Sequence, residues 1–208
     1  MPFLTAHFNA QNLEKLLKTR SETVVHLYML EGFDLASRDI GSQSDPYFTV
    51  QCGSFNWNNR DRYILDDANP KWNEHISFPV TFPGSKPLII ECYDYDDLFG
   101  DDLIGSTTID LDDRFFTPEW NYLNEKPIEQ RQLYHPSTAL SQGVIEMWLD
   151  IIPQNDENVS RKVWNISPEP KQEFEVRISV LGCTGVPQMD WEGTTDAYIR
   201  AFISDDSI

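Results

Sequence analysis

Residues 87–111 read PLIIECYDYDDLFGDDLIGSTTIDL. Both flanks are short and rich in β-branched and aromatic residues, Leu88 to Tyr93 and Leu103 to Ile109, and an acidic, glycine-containing turn separates them. Two such runs around a turn signal predict adjacent antiparallel strands. Asp94 and Asp96 stand two apart at the outgoing strand end, so their side chains share one face, and Asp102 begins the return.

The same texture extends outward. TVVHLYML (23–30), DPYFTVQC (45–52), EHISFPV (74–80), PLIIECYDY (87–95), LIGSTTIDL (103–111) and GVIEMWLDII (143–152) all read as strands between Gly, Asp, Asn and Pro clusters. Shorter candidates are Arg60–Leu65 and Gln130–Tyr134. About eight short strands without a crossover helix predict an all-β fold, an eight-stranded antiparallel β-sandwich. Residues 9–20 (NAQNLEKLLKTR) predict a short amphipathic helix, suited to packing on the sandwich more than to a membrane surface. The expected organisation is an N-terminal helical extension (1–22), the sandwich (23–152), a polar linker (153–171) and a C-terminal β segment (172–208). In that segment, Phe174, Val176, Ile178 and Val180 alternate, and DAYIRAFI (196–203) offers a second strand.

The chain has 208 residues and a net charge of −18, from 34 acidic against 16 Lys and Arg residues. Such a surface repels nucleic-acid phosphates, so nucleic acid is excluded as the expected partner. It repels anionic lipid too, unless a cation intervenes. Cys52, Cys92 and Cys183 are odd in number and far apart, which suits a reducing, cytoplasmic setting. No apolar run approaches a membrane span and no signal peptide is legible at the start, so any membrane contact is expected to be peripheral. The four histidines, His7, His26, His75 and His135, fall on separate elements without a nucleophile motif, and no phosphate-binding glycine loop is present. Catalysis is not expected.

The acids concentrate in two loops. One runs from Asp34 through Asp39 to Asp45, the other from Asp94 to Asp102. If both loops occupy one end of the sandwich, Asp39, Asp45, Asp94, Asp96 and Asp102 converge, and five close carboxylates require a counter-cation. Oxygen donors without His or Cys select calcium over zinc or copper, and magnesium is disfavoured by its octahedral, tightly hydrated shell. Asp is also a common turn and capping residue, but two such loops together favour the ion. Leu98 and Phe99 at one tip, with Ile40 on the facing loop, are placed either to insert into a membrane or to fold back on the loop base, insertion being favoured. Arg38 is the basic residue of the tips; Arg60, Arg62 and Lys71 look scattered, so weak headgroup selectivity is expected.

Asp39…Asp45-Pro-Tyr, Asn69-Pro-Lys-Trp-Asn and Asp94-x-Asp96…Asp102-Leu-Ile-Gly together resemble the C2 domain signature over residues 23–152. The resemblance implies a sandwich holding calcium between two apical loops through those five aspartates, and binding to anionic phospholipid. Nothing strand-like precedes TVVHLYML and GVIEMWLDII closes the domain, which resembles the permuted form with its extra strand last. Asp101–Phe116 and Gly143–Pro153 are similar to a late domain of the ferlin family, and EFEVRISVLGCTGVP with TTDAYIRAFI resembles the start of the next one. Ferlins are far longer and carry a membrane anchor, so the chain reads either as a fragment or as a short derivative. The implied role is a calcium-switched module of membrane trafficking or fusion. The alternative is a non-enzymatic subunit of a larger assembly that docks a protein partner through residues 172–208 by strand addition.

Overall fold

The computed structural model describes residues 18–38, 42–97, 100–121, 123, 126–154, 163–168, 174–189, 191–193 and 195–201. The chain divides into two units, Met1–Glu169 and Pro170–Ile208.

Eight strands build the first unit: β1 (Ser21–Phe33), β2 (Pro46–Cys52), β3 (Phe55–Asn58), β4 (Lys71–Phe82), β5 (Leu88–Asp94), β6 (Asp102–Ile109), β7 (Glu129–Tyr134) and β8 (Ser141–Pro153). All pairings are antiparallel, in the order β3-β2-β5-β6-β7-β8-β1-β4. The last strand thus sits inside the sheet, between β7 and β1, as the permuted form requires.

The sheet folds where β6 meets β7, because the ladder there is a single pair, Ser106↔Tyr134. Gly105 makes the fold possible: a Cβ at this position would lie 3.0 Å from Leu133 Cβ and 3.2 Å from the Tyr134 nitrogen. Folding brings the two ends of the sheet face to face. Phe48 of β2 meets Trp72 of β4 edge-on at 5.0 Å, and Phe55 of β3 stacks on Phe78 of β4 at 4.5 Å. Alternation supplies the filling: Val25, Leu27 and Met29 of β1, Ile145, Met147 and Leu149 of β8, and Leu88, Ile90 and Cys92 of β5 are all buried.

The short elements depart from expectation. Arg60–Leu65 is not a strand; Arg60–Arg62 form a 3-10 turn and the chain then loops to β4. The strand instead lies at Phe55–Asn58, reached from β2 by a tight turn in which Gly53 takes φ +59°. Its Asn residues disguise it as a turn, but they alternate with Phe55 and Trp57, which pack on the core. β6 ends at Ile109 because the Asp110 side chain accepts the Asp113 N–H (3.2 Å), capping α1 (Leu111–Phe116), which α2 (Pro118–Asn121) follows.

The expected N-terminal helix lies mostly outside the described residues. Part of the expected linker, residues 163–168, lies against the outer face of β1, where the Trp164 N–H donates to the Tyr28 hydroxyl (3.1 Å). In the second unit, the strands expected at 174–180 and 196–203 do not form among the described residues. A strand requires a ladder partner, and Phe174, Val176, Ile178 and Val180 are exposed.

Candidate functional site

The acidic end is organised by the register of three strands. Pro46 of β2 pairs with Asp94 of β5, and Asp94 pairs with Asp102 of β6. Asp45, Asp94 and Asp102 therefore stand at adjacent strand ends, about 5 Å from one strand to the next. Register irregularities lie between Met29 and Glu31 in β1 and between Cys92 and Tyr93 in β5, both close to this end.

Asp94 continues the inward phase of Leu88, Ile90 and Cys92 and is only 3% exposed. A carboxylate so placed needs polar partners. One is the Asp45 N–H, which donates to Asp94 Oδ1 at 2.7 Å, while the Tyr95 N–H donates to the Asp45 carbonyl at 3.0 Å. Asp96 follows on the same loop, and its N–H donates to Asp101 Oδ1 (3.1 Å). Asp45, Asp94, Asp96 and Asp102 are thus brought to one end. Asp39, Ile40, Leu98 and Phe99 lie outside the described residues. Among the described residues, no group of three or more His, Cys, Asp or Glu side chains is close enough to hold a metal ion. The donor set is nonetheless all carboxylate, in strand-end and loop positions, and its chemistry suits a hard cation.

A third loop, residues 63–70, belongs to this end; the sequence motif marks only its Asn69-Pro70 end and does not show that it joins the acidic loops. The Asp66 N–H donates to Asp45 Oδ1 (2.7 Å), and Asp66 Oδ1 accepts the Gln43 N–H (2.7 Å). The Ala68 N–H donates to Gln43 Oε1 (2.6 Å) and the Asp67 N–H to the Ser44 carbonyl (3.1 Å). Asn69, of the Asn-Pro-Lys-Trp motif, accepts the Asp34 N–H (3.0 Å). Asp34 and Asp66 both take left-handed φ, +49° and +51°, a conformation Asp tolerates better than most residues.

Two arginines take roles that spacing did not suggest. Arg38 folds back from the tip: its guanidinium donates to the Leu103 carbonyl (3.1 Å), the Ile104 carbonyl (2.6 Å) and Gln142 Oε1 (2.9 Å). It fastens its loop to β6 and β8. Arg60, which looked scattered, grips Asp101 through Nε (2.6 Å) and Nη2 (2.9 Å). The Tyr47 hydroxyl donates to the same carboxylate at 2.7 Å. The Arg60 guanidinium holds Asp101 well below the usual carboxylate range, at about 2, with the Tyr47 and Asp96 hydrogen bonds assisting against partial burial. Burial and the Asp101 carboxylate push the Tyr47 phenol up. On β5, burial and a hydrogen bond to Glu91 push Tyr93 up to about 12.

Among the described residues, no helix is long and apolar enough to cross a membrane. The family model described as "C2 domain" matches residues 9–130, more than half of the chain. Among curated proteins, myoferlin of Xenopus tropicalis is 35% identical over 96 residues, 46% of this chain. Fer-1-like protein 4 of Mus musculus is 34% identical over 94 residues, 45% of this chain. The matched region spans 5% of each of these relatives. Among solved structures, the calcium-bound tandem C2 domains of Extended-Synaptotagmin 2 are 25% identical, with a TM-score of 0.53, covering 64% of this chain and 46% of that one. A C2 domain of plant Extended Synaptotagmin 1 shares the fold at 17% identity and a TM-score of 0.53, covering 66% of this chain and 100% of that one. Matched over more than half of its length and folded as an eight-stranded permuted sandwich, the chain belongs to the C2 domain family, with ferlins among its relatives.

Proposed function

We propose that this chain is a non-catalytic, calcium-dependent module that docks peripherally on anionic phospholipid membranes from the cytoplasmic side. The observation that carries the reading is the rung that sets Asp45, Asp94 and Asp102 at neighbouring strand ends. Asp39, Asp45, Asp94, Asp96 and Asp102 are the residues that would hold the ion. The calcium-bound Extended-Synaptotagmin 2 relative supports calcium as the ion, and the ferlin likeness supports a role in membrane trafficking or fusion.

Calcium, when bound, supplies positive charge and coordination positions open to lipid phosphate oxygens. Without it, the carboxylates repel an anionic surface, which makes the end an electrostatic switch. Ile40, Leu98 and Phe99 are the proposed inserting residues; burying the Leu98–Phe99 pair contributes roughly 3–5 kcal/mol by apolar transfer. With Arg38 and Arg60 both engaged by the protein, headgroup selectivity is weak.

Co-sedimentation of the purified chain with phosphatidylserine-containing liposomes tests this, in calcium and in chelator, beside an Asp94→Asn/Asp96→Asn variant. Binding is expected only with calcium and the wild-type aspartates. No sedimentation at millimolar calcium would sink the membrane reading. The exposed alternation of Phe174, Val176, Ile178 and Val180 favours a second reading, in which the C-terminal unit adds a strand to a protein partner.

A further inference from the structure

Asp101 immediately precedes Asp102, the last of the five proposed ligands. Both oxygens of Asp101 are committed to the protein. Oδ2 accepts from Arg60 Nε (2.6 Å) and the Tyr47 hydroxyl (2.7 Å), and Oδ1 accepts from Arg60 Nη2 (2.9 Å) and the Asp96 N–H (3.1 Å). Arg60 is itself seated, its guanidinium 4.4 Å from the centre of the Tyr95 ring, which stacks on Tyr63 at 4.1 Å. The assembly joins three pieces of chain: β2 through Tyr47, the turn after β3 through Arg60 and Tyr63, and the β5–β6 loop through Tyr95, Asp96 and Asp101.

We propose that Arg60 and Asp101 are positioning residues for the cation site: a clamp that holds the backbone at Asp96, and so the spacing between Asp94, Asp96 and Asp102, before the ion arrives. Asp101 is not a ligand. The inference rests on the calcium reading above and adds a mechanism to it. Its physical content is a conflict of signs. A guanidinium beside a cation site repels the ion, so by charge alone removing Arg60 tightens binding. A clamp acts oppositely, because releasing the loop makes the ion organise its own ligands. Partners that orient metal ligands typically contribute about 10–100-fold in affinity, enough to outweigh the repulsion of a half-exposed arginine.

Calcium titration calorimetry on the full chain separates these terms, with Arg60→Gln, Arg60→Lys, Asp101→Asn and the Arg60→Gln/Asp101→Asn double variant. Chelator-treated melting temperatures are recorded beside the titrations. Arg60→Gln and Asp101→Asn are each expected to weaken calcium about 10-fold. The double variant is expected to be no weaker than either single one, because both break the same clamp. Arg60→Lys keeps the charge, loses the planar fork and is expected to lie between wild type and Arg60→Gln. Calcium affinity unchanged or tightened in Arg60→Gln, while wild type binds, would overturn the clamp and leave the calcium reading intact. So would an Asp101→Asn loss that adds to the Arg60→Gln loss, since that marks Asp101 as a ligand. A lowered ion-free melting temperature with unaltered affinity of the folded fraction would likewise reduce the pair to a structural role. A wild-type chain that takes up no calcium at millimolar concentration would overturn the calcium reading and the clamp with it.

Discussion

Gly143 lies at the start of β8, beneath the first acidic loop, and replacing it with alanine tests how that loop is held. Its φ is +120°, a backbone setting that disfavours any side chain. A Cβ there would stand 2.8 Å from Leu35 Cδ2, 2.9 Å from the Asp34 carbonyl oxygen and 2.9 Å from Leu35 Cα. Two of those three atoms are backbone, so a rotamer change cannot relieve the crowding. The loop would have to lift, against the Ala36 N–H to Gln142 carbonyl bond (3.0 Å) and the Leu35 N–H to Ala68 carbonyl bond (2.9 Å). Conformational strain costs about 1–2 kcal/mol, and overpacking against backbone adds roughly 1–3 kcal/mol. Together Gly143→Ala should destabilise the domain by about 2–5 kcal/mol, a fall in melting temperature of roughly 7–18 °C for a domain of about 130 residues. Gly84 provides the control. Its φ is +88°, but a Cβ there would meet nothing within 4 Å, so Gly84→Ala should show the strain component alone. Urea unfolding followed by circular dichroism measures both. If Gly143→Ala lost no more than Gly84→Ala, the close seat of the loop on β8 would be refuted.

Two further outcomes follow from the titratable groups. His26 Nδ1 and His75 Nε2 lie 3.0 Å apart in a ring stack with Tyr28 and Trp148, and both imidazoles are held below their ordinary value. Burial is the main cause for each; His75 further disfavours charge on His26, and Asp150 of β8 opposes the shift. The unfolded chain therefore takes up protons first as pH falls below about 6.5, so stability should decline through that range. Urea midpoints at pH 7.5 and 5.5 read the decline, and a His26→Gln/His75→Gln variant should flatten it. An undiminished slope in that variant would assign the effect elsewhere. Among the thiols, burial pushes Cys92 and Cys52 up whereas Cys183 is exposed. A thiol reagent such as dithionitrobenzoate should label the native chain at Cys183 within minutes and reach Cys52 and Cys92 only under denaturant; rapid labelling of all three would contradict the packing.

Period-two alternation in PLIIECYDY and GVIEMWLDII, and the turn residues between strands, report backbone preferences that act within a few residues. They made the sandwich and its closing strand legible before any pairing was known. The spacing of Asp94, Asp96 and Asp102 around one turn was legible for the same reason. FNWN at 55–58 was not, because four residues give too little periodicity to separate a strand from its flanking turns. The strand-like pattern at 174–180 shows the converse: alternation states a capacity for pairing, and only a partner turns it into a strand.

The chain by itself determined the fold class and the acidic character of the two loops, since both are local properties of residue type and order. Tertiary structure decided which charges face the site. Arg60 reaches an aspartate 41 positions away, Arg38 reaches Gln142 across 104, and the 63–70 loop joins the acidic end by bonding to Asp45 and Gln43. An ion pair or hydrogen bond depends on a few ångströms of separation and on direction. Those distances are set by strand register and by the fold of the sheet at Gly105, which no local pattern encodes.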